Sequence, residues 1–128
     1  MKLQLEANSL RIRLSEAELA TLQAQQAVEA LLPLAANARC RLRIRLCPDP
    51  VTDEQRWRLL VQPLALLDAE LSLTAGELQD YVSTLPSRDG LRWLVASAHG
   101  DLQLTLEVDV RDSIGVRGHR TGKIRQDS

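Results

Sequence analysis

Apolar and polar residues alternate from the first residues of the chain. Leu3 and Leu5 stand against Lys2, Gln4 and Glu6; past Ala7-Asn8-Ser9, Leu10, Ile12 and Leu14 stand against Arg11 and Arg13. A period of two sends successive side chains to opposite faces, so this stretch predicts a β-hairpin turned at Asn8, whose short amide tolerates left-handed backbone. Ser15 and Glu18 follow at the spacing of a capping box, and Leu19 and Leu22 give the next segment an apolar helical side as far as about Gln26. Val28 to Leu34 is short and apolar, and it fits either an edge strand or a continuation of the helix, with Pro33 awkward in both. Cys40, Leu42, Ile44 and Leu46 then share one face of a strand whose other face carries Arg39, Arg41, Arg43 and Arg45.

Pro48-Asp49-Pro50 ends that strand, and residues 48–55 read as a linker. Beyond it the order repeats. Trp57, Leu59 and Val61 alternate with Arg58 and Gln62, with Arg56 on the polar side as well; Leu67, Ala69, Leu71 and Leu73 form the next strand. Thr74 and Glu77 make a second capping box, Leu78, Tyr81, Val82 and Leu85 a second helix, and residues 91–98 a further apolar strand. After the turn signal His99-Gly100-Asp101, Leu102, Leu104, Leu106, Val108 and Val110 alternate with polar neighbours. Periodicity stops at Asp112, so residues 112–128 read as a polar tail.

The phrase Leu14-Ser15-Glu16-Ala17-Glu18-Leu19 returns as Leu73-Thr74-Ala75-Gly76-Glu77-Leu78, an offset of 59. Past the helix an offset of 60 matches Leu31 to Leu91, Leu34 to Leu94, Leu42 to Leu102 and Ile44 to Leu104, which implies one inserted residue. The expectation is an α+β domain over residues 1–111, built from two ββαββ halves of about 1–47 and 56–111. They form a curved antiparallel sheet or open barrel with two short helices.

Composition narrows the function classes. With 45% hydrophobic and 26% charged residues, 128 residues suit one domain with a real core. Trp57, Tyr81 and Trp93 are the whole aromatic complement, too few for base stacking, and a net charge of −1 lacks the cationic excess that binds phosphate backbones. No nucleic-acid or membrane partner is expected: polar residues interrupt the first strand, no apolar run reaches bilayer length, and the expected location is cytoplasmic. Cys40 and Cys47 lie seven apart, hence on opposite faces of one strand, and read as separate thiols. With His99 and His119 at unrelated spacings they make no zinc signature, and neither a metal nor a cofactor is expected.

The opening, Met1-Lys2-Leu3-Gln4-Leu5 through Asn8-Ser9-Leu10-Arg11-Ile12-Arg13-Leu14-Ser15 with Glu18, resembles a family of short uncharacterised bacterial proteins. Its members open M-K-I-R-I, continue G-N-S-I-R-L-R-L with an S/T-x-x-E box, and close on a strand like L-x-I-x-x-E-K-D-F. Glu107 and Asp109 occupy the matching acidic positions; Ala7, Val108 and Val110 depart from the family's Gly, Lys and Phe. The resemblance implies a bacterial cytosolic α+β domain and carries no mechanism.

The sharpest chemical feature is arginine on alternate strand positions. Arg11, Arg13, Arg41, Arg43 and Arg45, with Arg39 at the end of the stripe, are candidates to bind carboxylate or phosphate groups, with Glu107 and Asp109 as acidic partners or metal ligands. The simpler expectation is that the arginines pair across strands with Glu107, Asp109 and Glu6. The alternating E-x-E-x-K of triphosphate tunnel enzymes is absent, since Leu3-Gln4-Leu5-Glu6-Ala7 offers one carboxylate. No catalytic residue is expected: Ser9, Ser15 and Thr74 serve as turn and cap residues, and His99 and His119 read as solvated. The functional expectation is a small non-catalytic domain acting through protein contacts, including self-association through an uncovered strand edge. The alternative is an anion-binding module or metal-dependent phosphohydrolase on the arginine face.

Overall fold

Alternation and the cap signals resolve into eleven elements among the described residues. The computed structural model describes residues 1–63, 66–86 and 89–109. In chain order they form β1 (Lys2–Glu6), β2 (Ser9–Leu14), α1 (Glu16–Gln23), β3 (Val28–Ala35), β4 (Ala38–Cys47), α2 (Asp53–Arg56), β5 (Trp57–Gln62), β6 (Leu66–Thr74), α3 (Ala75–Val82), β7 (Leu91–Val95) and β8 (Leu102–Val108). The α+β class is as expected. The expected tail at 112–128, with His119 and the C-terminal edge of the domain at Val110 and Arg111, lies outside the described residues.

The strands make two four-stranded sheets, ordered β1-β2-β8-β7 and β3-β4-β6-β5, rather than one curved sheet or a barrel. Outer pairs are antiparallel hairpins, whereas the two central pairs, β2 with β8 and β4 with β6, are parallel. Each sheet therefore joins the first hairpin of one half to the second hairpin of the other. Parallel strands need a long connection: from β2 to β8 most of the chain supplies it, and from β4 to β6 residues 48–65 do.

Pairing also fixes how the halves correspond. Ile12 lies opposite Leu106 in the first sheet and Leu71 opposite Ile44 in the second. Carrying Ile12 onto Leu71 carries Ile44 onto Leu106, an offset of 62. In the outer hairpins Val28 faces Ile44 and Leu91 faces Leu106, so Val28 falls on Leu91, an offset of 63. These values replace the expected offset of 60 and its single insertion. Because 60 and 62 have the same parity, alternation in β4 and β8 is blind to the difference. For β3 and β7 the parity changes: Leu31 corresponds to Leu94, and both side chains are exposed.

The core repeats the same correspondence. Ile12, Leu14, Ile44, Leu71, Leu73, Leu104 and Leu106, on the four central strands, are fully buried together with Leu22 of α1. Both sheets feed one cluster, which Leu19 of α1 and Leu78 and Tyr81 of α3 complete. Central strands bury a face on each sheet and edge strands only part of one, which is why the large fully buried residues concentrate at the centre.

Other differences from expectation have local causes. β3 is an edge strand, where Pro33 lacks only a hydrogen bond that an edge does not need, and its register slips between Pro33 and Ala35. Both principal helices are shorter than their apolar pattern, α1 ending at Gln23 and α3 at Val82; Gln25 then turns with a φ of 66°. The linker holds a third helix, α2, whose Thr52 and Gln55 form a capping box of their own. Gly90 enters β7 so close to β8 that a Cβ there would lie 2.5 Å from the Leu106 carbonyl oxygen. The Val108 N–H, two residues past the end of the β7 ladder, donates instead to the buried Tyr81 hydroxyl at 2.8 Å. Burial pushes the Tyr81 phenol up from its ordinary value, against the opposing effect of this hydrogen bond. Tyr81→Phe leaves that buried N–H without a partner, and urea unfolding is expected to show a loss of about 1–3 kcal/mol.

Candidate functional site

The arginine side chains lie where alternation places them, on the outward faces; Arg11 and Arg13 meet the expected Glu107, whereas the partners of the β4 arginines differ from those expected. Arg41 makes a two-pronged pair with Asp68, Nε to Oδ1 at 2.6 Å and Nη2 to Oδ2 at 2.7 Å. Arg43 donates to Glu29 at 2.8 Å and approaches Glu70 at 3.7 Å; Arg45 donates to Glu70 at 3.1 Å. These carboxylates come from β3 and β6, the two neighbours of β4, and not from Glu107, Asp109 or Glu6. Parallel pairing of β4 with β6 sets Arg41 beside Asp68 and Arg43 beside Glu70, a juxtaposition that an antiparallel expectation does not generate. Arg39, exposed at the start of the stripe, makes no ion pair with a described residue.

Glu107 serves the other sheet. Its Oε1 accepts from Arg13 at 3.1 Å and lies 3.7 Å from Arg11 Nε. Arg11 and Arg13 thus belong to the outer face of one sheet and Arg41, Arg43 and Arg45 to that of the other, so the structure does not bring the five together. Asp109 follows β8, its N–H donating to the Leu14 carbonyl at 2.8 Å. Among the described residues no group of three or more His, Cys, Asp or Glu side chains is placed to hold a metal ion.

The corresponding pairs in the two sheets carry exchanged charges. Arg11 and Glu107 in the first correspond to Glu70 and Arg45 in the second, through the offsets of 59 and 62. The attraction is kept while the sign at each position is reversed. Exposed pairs of this kind contribute about 0.2–1 kcal/mol each, enough to favour the native register and too little to hold the sheets together.

The capping boxes hold a second layer of electrostatics. Thr74 Oγ1 accepts from the Glu77 N–H at 3.0 Å, and Glu77 Oε1 accepts from the Thr74 N–H at 2.9 Å. Arg56, the last residue of α2 and 8% exposed, grips the same carboxylate at 2.8 and 2.7 Å. It also donates to the Ser72 carbonyl at 2.9 Å and stacks 4.7 Å from the centre of the Trp93 ring. One guanidinium thereby ties α2, β6, α3 and β7. In the first half the equivalent carboxylate, Glu18, receives the Met1 ammonium at 2.8 Å, again from the start of the first edge strand. Burial pushes the Glu18 carboxyl up, but hydrogen bonds from the ammonium and from Ser15 outweigh it and hold the group below its ordinary value.

Arg56 was read from the sequence as one more outward strand residue. The signal that places it in a helix is Thr52-x-x-Gln55, a capping box inside the linker. Cys40 and Cys47 are free thiols, both partly exposed. Burial, reinforced by the negative charge of Asp68, raises the Cys40 thiol above its ordinary value, which disfavours its thiolate form. Trp57 and Trp93 pack partly buried against the core, as expected.

No family model, no curated protein and no solved structure matches the chain. Among the described residues no helix is long and apolar enough to cross a membrane.

The Arg56 guanidinium holds the Glu77 carboxyl below its ordinary value, with the Thr74 N–H helping and burial opposing. A carboxyl depressed in the folded state contributes stability above its ordinary value and loses that contribution as pH falls through the depressed one. Glu77→Gln keeps a cap acceptor but removes the charge partner of Arg56. It is expected to lower stability at neutral pH by about 1–2 kcal/mol, below the fully buried range because the carboxylate is partly solvated. Unfolding free energies measured from pH 7 down to pH 3 are expected to converge with those of the parent chain at the acid end.

Proposed function

We propose that this chain is a protein-contact domain that pairs with a second copy of itself along the free edge of β5. The observation that carries the reading is three consecutive exposed apolar residues on that edge: Leu59 at 57%, Leu60 at 58% and Val61 at 76%. Natural sheet edges are ordinarily protected by charge, proline or a covering segment, and a run of this kind favours addition of another strand. The opposite edge of the same sheet, β3, has Pro33 and Glu29 to block it.

Self-pairing is favoured by the sequence of β5. In an antiparallel arrangement centred on Leu60, each Leu59 faces Val61 of the other copy and Arg58 faces Gln62. The single charge of the strand meets no like charge, and a two-fold interface is self-complementary by construction. Arg41, Arg43 and Arg45 of β4 are paired within the sheet, and its other exposed leucines, Leu31 and Leu34, lie on the β3 edge that Pro33 interrupts.

Size-exclusion chromatography with light scattering tests the reading. The parent chain is expected to elute at twice the mass of one chain, and Val61→Lys, which puts a charge on an already exposed position, is expected to halve it. A parent chain that remains a single copy at the highest soluble concentration overturns the proposal, as does a Val61→Lys variant that still pairs.

A further inference from the structure

A cavity of about 190 Å³ opens on the outer side of the second sheet, where β4, β5 and β6 meet the turn that leads into α2. Arg45, Arg58, Ser72, Gln55, Cys47 and Asp49 line it. We propose that this cavity binds a single phosphate-class oxyanion, held by the guanidinium groups of Arg45 and Arg58, the Ser72 hydroxyl and the Gln55 carboxamide.

The donors are available. Arg45 is tied to Glu70 through Nε alone, which leaves the end of its guanidinium to face a ligand. Arg58 makes no ion pair with a described residue, although Glu70 is its cross-strand partner in the ladder. Gln55 accepts from the Thr52 N–H through Oε1, at 3.2 Å, so its NH2 group remains a donor. Ser72 is the most informative of the four. It lies directly across the ladder from Arg45, on the outward side of β6, yet is only 2% exposed. Its carbonyl accepts from Arg56, whereas its hydroxyl makes no hydrogen bond to a described residue. A buried hydroxyl without a partner costs free energy, and a ligand oxygen in the cavity supplies the missing acceptor.

The arrangement selects among anions. Arg45, Arg58, Ser72 and Gln55 come from four different elements around the cavity. That suits the tetrahedral oxygens of a phosphate better than the plane of a carboxylate. The Asp49 carboxylate on the rim disfavours an extended polyanion, and the chain's net charge of −1 provides no long-range attraction for one. A compact monoanion or dianion is what remains.

The test is a thermal-unfolding titration of the intact chain with potassium phosphate against potassium chloride at matched ionic strength. A saturable, phosphate-specific rise in unfolding temperature is expected, because a ligand that binds only the folded state stabilises it by mass action. Arg58→Gln is expected to weaken the apparent affinity by about tenfold, the worth of one charge-assisted hydrogen bond, and Ser72→Ala by several-fold. Arg39→Gln removes the same charge from the exposed end of the stripe, outside the cavity, and is expected to leave the affinity unchanged. Acetate in place of phosphate is expected to bind at least about tenfold more weakly. The proposal is overturned if phosphate has no saturable effect, if Arg39→Gln weakens binding as much as Arg58→Gln, or if acetate binds equally well. Arg58 also lies on the β5 edge, so the titration is read alongside the mass of each variant. Loss of phosphate binding with unchanged mass separates this site from the self-pairing surface.

Discussion

The parallel pairing of β2 with β8 and of β4 with β6 is the constraint on which the rest of the structure depends. Within either half, the two hairpins do not pair with each other; each pairs with a hairpin of the other half. A lone hairpin is marginal in water, and neither half has a sheet wider than two strands without its counterpart. The core follows from the same exchange. Its buried apolar residues divide evenly between the halves, and Ile12, Leu14, Ile44, Leu71, Leu73, Leu104 and Leu106 meet only once both parallel seams have closed.

Two electrostatic arrangements adapt this exchange to its surface. Carboxylates at the capping boxes, Glu18 and Glu77, each accept a cation from the start of the neighbouring edge strand, so the helix N-termini and the sheet edges are fixed by the same group. On the outer faces, ion pairs cross the parallel seams with their signs exchanged between the sheets. Neither arrangement is strong enough to form the fold, but the cross-strand pairs are lost in a register slipped by one residue, which turns charged side chains toward the core. Most of the conspicuous arginines therefore have structural partners, and the cavity at Ser72 draws on the few donors left over, Arg58 above all.

Much of this was legible in the sequence, and the reasons for the rest are physical. Alternation located β1, β2, β4, β5, β6 and β8 because a period of two records which face is buried, whereas β3, short and apolar, read equally as a continuation of α1. The capping boxes located α1 and α3 because the box is local chemistry. Pairing partners were not legible. The side chains of β4 and β8 alternate in the same way whether the correspondence is offset by 60 or 62, and no residue in β2 announces that its neighbour is parallel and some 90 positions away. That is why the arginine stripe was expected to meet Glu107 and meets Asp68 and Glu70 instead. Arg56 and Ser72 were missed for a related reason: their burial goes with long-range contacts, those of Arg56 with the Ser72 carbonyl and with Trp93, which a strand pattern does not encode. Arg58 was seen on its outward face but not as a cation without an ion pair to a described residue. The short helix α2 had a readable signal in Thr52 and Gln55, hidden by the prolines just before it.

Splitting the chain in the turn between β4 and α2, after Pro50, tests the interdependence of the halves most directly. Circular dichroism and cooperative unfolding are to be followed for fragment 1–50, for fragment 51–128, and for an equimolar mixture. Each fragment alone is expected to lack a cooperative transition, and the mixture is expected to regain one together with strand signal. Cooperative folding of either fragment in isolation, as a monomer, would contradict the account, because it would mean that a half can complete a sheet and a core without the parallel seams.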